Sequence, residues 1–466
     1  MRLTCLVLFA LTVSVVAQPC ASVNANSAVT DWFVDAASTS ANPNGSKTDP
    51  FVRLGDVIGA ADDNDRIFVA PGTYSPSQTG ETFPYQWGAN STLSQLGIEI
   101  IGTGGAAVTI LDGEGLTSGV GILRFRQLAA GAKFRGFTLR GYAGTLGSIR
   151  LGSTTPGFEA HGVEIHSCVF DGSAGSGIAT FGASDDLKFH DNVFTGCVAE
   201  GIWASDITIN LNPCSGATGG GEIYNNTLDG NGNGIRLQGG AWTVMNNVVT
   251  NSTNSGIYDF GGAPVFSYTL DFNCVFGNGT NYQAVTAGPS SISVDPAYVN
   301  PAGGDYHLMP TSPCVDAGTP GLPSYMGADL DDDPRNLAGA TGIQNPDMGS
   351  DEVTDVRLSV PLGISIGFGA TSIDLTGPAG DVAVRAVSLG EGNLLLPEGN
   401  VLLELSSLVL FDPVPVPIPG GGLLIFPIAT AGFPPSTIGL PLYLQAVVAS
   451  PTAIRLTNRV TVVVCP

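Results

Sequence analysis

The sequence predicts an all-β chain: a solenoid of stacked β coils followed by a small C-terminal β-sandwich. Two observations carry the prediction. Five short segments align between about residues 162 and 279: His166-Ser-Cys-Val-Phe-Asp-Gly172, His190-Asp-Asn-Val-Phe-Thr-Gly196, Tyr224-Asn-Asn-Thr-Leu-Asp-Gly230, Met245-Asn-Asn-Val-Val-Thr-Asn251 and Phe272-Asn-Cys-Val-Phe-Gly-Asn278. They start 21 to 34 residues apart, and the first four are followed by Gly177-Ile178, Gly201-Ile202, Gly234-Ile235 and Gly256-Ile257. A repeat of this size, with short strands and Gly/Asn turns, is the signature of a solenoid. The composition agrees. Glycine (64) and proline (31) are abundant and only 12% of residues are charged, yet 43% are hydrophobic, so the chain is ordered and turn-dense rather than disordered.

The N-terminus comes first. Met1-Arg2 precedes an apolar run that ends in small residues at Val15 and Ala17. This reads as a signal peptide over residues 1–17, cleaved after Ala17, and it predicts a secreted or cell-surface protein. The run is too short to span a bilayer, and no later stretch is long enough. Pro19 before Cys20 spoils a lipoprotein signal. Of eight cysteines, Cys5 falls in the leader, which leaves an odd seven. Cys197 with Cys214 is a plausible disulfide, and no Cys/His spacing suggests zinc.

Residues 31–113 read as an N-terminal capping module. Trp32 to Asp35 is a strand, and Val52 to Ala61 is a short helix with Leu54, Val57, Ile58 and Ala61 on one face. Asp65 to Tyr74 is a strand and a tight turn. Such a module covers the open end of a solenoid.

Residues 114–352 carry the coils and a closing acidic segment. Side chains alternate inward and outward along each strand. Ile165, Phe189, Ile223 and Val244 form one predicted inward stack; Phe170, Phe194, Leu228, Val249 and Phe276 form another. Asn192, Asn226 and Asn247 predict an asparagine ladder, with Cys168 and Cys274 at the same repeat position as small buried hydrophobes. From Asp295 the repeat gives way to the closing segment, which runs through Ala328-Asp-Leu-Asp-Asp-Asp-Pro-Arg335 to Asp347-Met-Gly-Ser-Asp-Glu352. After Val353 charge nearly vanishes, and Val/Leu/Ile strands alternate with Gly/Pro turns, so residues 354–466 read as a β-sandwich-like domain.

A specific resemblance runs through Phe33-Val-Asp35, Asp49-Pro-Phe51, Asp65-x-Ile67-x-Val69-Ala-Pro-Gly-Thr-Tyr74, Gly80-Glu-x-Phe83-Pro84 and Ile98-x-Ile100-Ile-Gly102. In these residues the chain resembles an exported bacterial family whose members open with a domain of unknown function. That domain leads into a right-handed parallel β-helix of the pectate-lyase-like type. The resemblance covers about residues 31 to 350. It implies the fold but no particular reaction, because the superfamily holds polysaccharide lyases, glycoside hydrolases, epimerases and members without assigned activity. The closing segment resembles the ending of many exported β-helix proteins, D-x-D-G-x-P-R before D-x-G-x-x-E. Asp332 stands here where that motif has glycine.

The net charge of −23 repels nucleic acid, which is not an expected partner, and anionic lipid headgroups, and it weighs against a polyanionic substrate unless cations bridge the two. The repeat frame then sorts the outward residues. One row after the Gly-Ile pairs reads Ala179, Trp203, Arg236, Tyr258. Two aromatics and an arginine in register suit a sugar chain, because rings stack on sugar faces and arginine binds hydroxyls or carboxylates. Trp203, Arg236 and Tyr258 are therefore the expected substrate-binding residues, with Trp242 at the rim; the alternative is packing beneath the insert Asn210 to Gly220. The row Glu164, Lys188, Glu222, Thr243 reads as a surface charge ladder. The row His166, His190, Tyr224, Met245, Phe272 reads as stacking rather than acid–base chemistry. Asp329, Asp331 and Asp333, joined by Asp347, Asp351 or Glu352, are the expected metal ligands, with calcium as the cation their hard oxygens suit. The alternative there is a solvated acidic turn neutralised by Arg335.

These readings predict an exported monomer that binds carbohydrate or cell-surface material without catalysis. The alternative is a polysaccharide-degrading lyase or hydrolase, whose catalytic residues the sequence does not place.

Overall fold

The computed structural model describes residues 29–88, 95–126, 129–153, 158–182, 184–206, 219–261, 265–335 and 345–354, and beyond them mainly the strands between 357 and 465. The predicted signal peptide, Cys214 and most of the Asn210–Gly220 insert lie outside the described residues. The fold is a right-handed parallel β-helix of three long sheets, followed by antiparallel sheets toward the C-terminus.

The first sheet has nine strands, from Asp31–Val34 to Val265–Asp271; the second has eight, from Gly72–Tyr74 to Cys274–Phe276, and the third eight, from Tyr85–Trp87 to Thr280–Gln283. Each coil visits the three in turn. The first sheet runs unbroken from the predicted capping module into the repeat region, so residues 31–113 supply the opening coils themselves. The expected helix is one turn, Gly55–Ile58, with Leu54, Val57 and Ala61 buried against the first coils. The Glu81 carboxylate accepts the Leu54 and Gly55 N–H groups at its start.

The inward stacks match the predicted frame. Ile165, Phe189, Ile223 and Val244 are partners on successive strands, and so are Phe170, Phe194, Leu228 and Val249. Phe170 and Phe194 stack face to face, 4.5 Å between centroids. Burying each of these side chains contributes about 1.5–3 kcal/mol.

The fifth repeat is corrected by one residue. Val249 pairs with Val275, not Phe276, and Met245 pairs with Asp271. The asparagine ladder explains the shift. Asn226 donates Nδ2–H to Asn247 Oδ1, and Asn247 to Asn273 Oδ1, each at 3.0 Å. Asn273 thus continues the ladder, and Cys274 moves to the outer side of the second sheet. A one-residue slip reverses every side chain of a strand, so the residue that continues the buried ladder sets the register. Cys168 keeps its predicted place, its N–H donating to Asn192 Oδ1. Ser167, Asp191, Asn225, Asn246 and Phe272, one position before the ladder, all have φ between 48° and 56°. This left-handed turn explains why Asn and Asp recur there.

The closing segment packs on the outer face of the second sheet. Tyr298, Tyr306, Leu308, Cys314 and Met348 cover Val193, Val248 and Cys274. Cys168, Cys197, Cys274 and Cys314 are buried with free thiols; the expected Cys197–Cys214 disulfide involves Cys214, which lies outside the described residues.

Burial pushes the Glu81 carboxyl up to about 7 despite its two N–H donors. A carboxyl raised on folding adds stability that is complete below its unfolded value and lost as pH rises through the folded one. Burial raises Asp347 in the same direction. We expect a higher Tm at pH 5 than at pH 8, and a smaller difference in Glu81→Gln. Thermal melts across that window check it, and an equal slope in the variant removes Glu81 as the source.

Candidate functional site

The third sheet carries the predicted strip on its outer face. Its strands include Leu123–Phe125, Gly147–Gly152, Ser176–Phe181, Glu200–Ser205, Asn233–Gln238 and Ser255–Asp259. Ile149, Ile178, Ile202, Ile235 and Ile257 point inward and are fully buried. The residue after each therefore points out, by strand alternation.

The outward row is longer than expected. In register it reads Arg124, Arg150, Ala179, Trp203, Arg236, Tyr258. Five steps of about 4.8 Å make it roughly 24 Å long. Trp203, Arg236 and Tyr258 thus lie side by side. The Arg236 guanidinium lies between two rings, 4.1 Å from the Trp203 centroid and 3.7 Å from that of Phe260. Its Nη2 donates to Gln238 Oε1 at 2.9 Å, and its Nη1 lies 3.5 Å from Glu200 Oε1. The Tyr258 hydroxyl donates to the same Glu200 oxygen at 3.0 Å. Tyr258 is consequently buried, and its ring is a lateral support more than an open platform. Trp203 is half-buried and meets Phe181 edge-on at 5.0 Å.

The other arginines continue the pattern. Arg150 sits 4.6 Å over the Phe181 ring, and Arg126 sits 5.0 Å over Phe158. Arg124 donates twice to the Gly152 carbonyl. Burial, then the neighbouring Arg150 and Arg126, pushes Arg124 down to about 10; burial lowers Arg126 and Arg150 as well. The Nε atoms of Arg126, Arg150 and Arg236 and the Trp203 Nε1 are buried with no hydrogen-bond partner among the described residues. The face therefore gathers positive charge and free donors on a chain of net charge −23. A global charge does not set the local potential, and clustered like charges destabilise one another unless an anion joins them.

Sequence reasoning missed Arg124, Arg126 and Arg150. A signal was present: Ile149-Arg150 repeats the Ile178-Ala179 step, but Ser148 stands where the later coils have glycine. Trp242 is not at the rim. It is fully buried, stacks near Phe189 and donates to the Gly239 carbonyl at 3.1 Å. It lies two residues from inward-facing Val244, and strand alternation puts both inside.

The acidic loop is arranged otherwise than expected. Among the described residues, Asp329, Asp331 and Asp333 do not converge as one ligand set; Asp331 instead comes together with Asp351 and His307, one ligand atom from each lying within 4.8 Å of the other two. The Asp329 carboxylate faces inward and accepts the N–H groups of Asp331, Asp333 and Glu352, each at 2.8 Å. Asp331 turns to His307 Nε2. Backbone N–H donors thus occupy both oxygens of Asp329. The same capping explains the D-x-G-x-x-E stretch, in which Asp347 accepts from Asp316 and Val353 and Asp351 accepts from Leu308.

On the first sheet Glu164, Lys188, Glu222 and Thr243 stand in register as predicted. Lys188 pairs with Asp186 at 3.0 Å, Glu164 with Lys133 at 3.2 Å, and Glu222 with the Tyr325 hydroxyl. His166 and His190 stack, 4.7 Å between centroids.

Residues 37–281 match the family described as "Protein of unknown function (DUF1565)". No curated protein matches the chain. Eight chains of solved structures match. The PL6 family alginate lyase AlyGC has 12% identity and a TM-score of 0.34, and the match covers 57% of this chain but only 40% of the lyase. Pectate lyase Pel9A has 13% identity and a TM-score of 0.32, over 70% of this chain and 97% of the lyase. The enzymatically active domain of bacteriophage CBA120 tailspike protein 2 has 11% identity and a TM-score of 0.17. At these identities the similarity concerns the fold alone. No helix among the described residues is long and apolar enough to cross a membrane.

Proposed function

The chain belongs to the DUF1565 family of proteins of unknown function, and on that premise we propose that it is an exported protein whose third sheet binds an acidic polysaccharide without cleaving it. The observation that supports this is the outward row itself. Arginines 126, 150 and 236 lie over or between aromatic rings beside Arg124, and their three Nε donors lack a partner among the described residues. Rings take up sugar faces, and guanidinium forks take up carboxylates in bidentate pairs. The extended row suits a chain ligand better than a small molecule. Carboxylates along that chain offset the repulsion between the arginines, which a neutral glycan does not.

Glu200 is a carboxylate in contact with the strip, and it is buried and held by Ser176, Tyr258 and Arg236. A general base needs a free path to substrate, which favours binding over cleavage.

The test is a glycan array with neutral and uronate-containing polymers, paired with an assay for unsaturated products. We expect retention of uronate polymers, weakened by salt, with no unsaturated product. Trp203→Ala and Arg150→Ala each lower affinity about tenfold, as loss of one good contact does. Equal binding of neutral glycans, or unchanged binding in both variants, overturns the assignment. Product formation moves the protein to the lyase reading.

A further inference from the structure

We propose that Glu164, His166 and His190 on the first sheet form a binding site for one transition-metal dication of the zinc kind, supported from behind by Asp191. The site lies on a different sheet from the polysaccharide face and does not depend on it.

The geometry carries the proposal. His166 and His190 occupy the same register on adjacent strands, so their rings stack nearly parallel, with an interplanar angle of 9°. Each ring turns its Nε2 toward Glu164. His190 Nε2 is 3.1 Å and His166 Nε2 4.0 Å from the same oxygen, Oε1. One ligand atom from each residue lies within 4.8 Å of the other two. Ligands about 2.0–2.2 Å from a tetrahedral ion are roughly 3.3 Å apart. The observed spacings bracket that value, and a rotation of the half-buried His166 closes the wider one. Two imidazoles and one carboxylate are the donor set that zinc-like ions favour, with a fourth position left to water.

The surroundings match such a site. His190 Nδ1 pairs with Asp191 Oδ2 at 2.7 Å, which fixes the ring and leaves Nε2 for the ion. A carboxylate behind a ligating histidine is the usual outer support of a metal. Asp191 is in turn held by the fully buried Arg335. The Tyr325 ring lies 5.1 Å from His190 and covers one side. The ion takes the place of the proton shared by His190 Nε2 and Glu164, and that proton leaves to solvent. One group competes: Lys133 Nζ lies 3.2 Å from Glu164 Oε2, on a side chain 46% exposed. It can swing away when the ion binds.

The test titrates untagged protein with Co2+ and follows its visible ligand-field bands, with Zn2+ as displacer. We expect one equivalent bound, four-coordinate bands that Zn2+ abolishes, and affinity lowered at least tenfold in Glu164→Gln and in His166→Asn. Circular dichroism confirms that these variants fold. Lys133→Met, at an exposed position that leaves the core alone, tightens binding several-fold by removing the competing ammonium. A wild type without the bands, or an affinity unchanged in both ligand variants, overturns the site. So does an affinity unchanged in Lys133→Met.

Discussion

Arg335→Met lowers stability by about 3–5 kcal/mol, the usual cost of removing one partner of a buried ion pair. Arg335 is fully buried. Its Nη2 donates to Asp191 at 2.5 Å and to the Gly349 carbonyl at 2.9 Å; its Nη1 reaches Glu352 at 3.2 Å and the Asp351 carbonyl at 3.1 Å. Its partners span the helix and the closing segment, so one guanidinium joins the two. Methionine fills the volume but leaves Asp191 and Glu352 buried without their cation. Arg335→Lys retains the charge and loses the fork, so it falls between wild type and methionine. Urea melts of the three proteins measure this. A loss below about 1 kcal/mol in the methionine variant shows that Arg335 is no staple.

Asn226→Leu is the second large effect, on the order of 3–5 kcal/mol from several buried groups left unpaired at about 1–3 kcal/mol each. Asn226 Oδ1 accepts the Asn192 N–H at 3.1 Å and its Nδ2–H at 3.0 Å. Its own Nδ2 donates to the carbonyls of Phe189 and Tyr224 at 2.8 Å and to Asn247. Leucine satisfies none of these, and the defect lies mid-ladder with rungs on both sides. Thermal melts, with hydrogen exchange at the Asn192 amide as a local readout, check the prediction. Unchanged protection at Asn192 contradicts a continuous ladder.

The two variants probe devices of different legibility. The ladder was visible in Asn192, Asn226 and Asn247 because a turn repeats its chemistry on each rung. The last rung is hidden in the sequence because Phe272-Asn-Cys-Val-Phe imitates the His166 segment one residue out of phase. Sequence similarity favoured Cys274 as the rung; the amide hydrogen bonds put Asn273 there. In the sequence Arg335 suggests only a neutraliser of its own loop, since its partner Asp191 is 144 residues away and no local pattern links them.

The candidate site divides the same way. Trp203, Arg236 and Tyr258 followed from the repeat frame, because strand alternation and rung register are local rules. Arg124, Arg126 and Arg150 come from earlier coils with weaker repeats, and they join the same face only through stacking of the coils. Acidic composition pointed away from an anionic ligand, whereas the clustered arginines attract one, because a potential depends on where charges sit as well as on their sum.

By itself the sequence determined the all-β solenoid, its inward stacks and most of its rungs, since periodicity and turn chemistry act over a few residues. Only the tertiary structure decided that the acidic loop caps backbone N–H groups and that arginines from separate coils form one face. It also decided that Glu164, His166 and His190, on the outer face of the first sheet, turn their side-chain nitrogen and oxygen atoms toward one another. Those contacts depend on distances between residues far apart in the chain, which folding creates and no local pattern encodes.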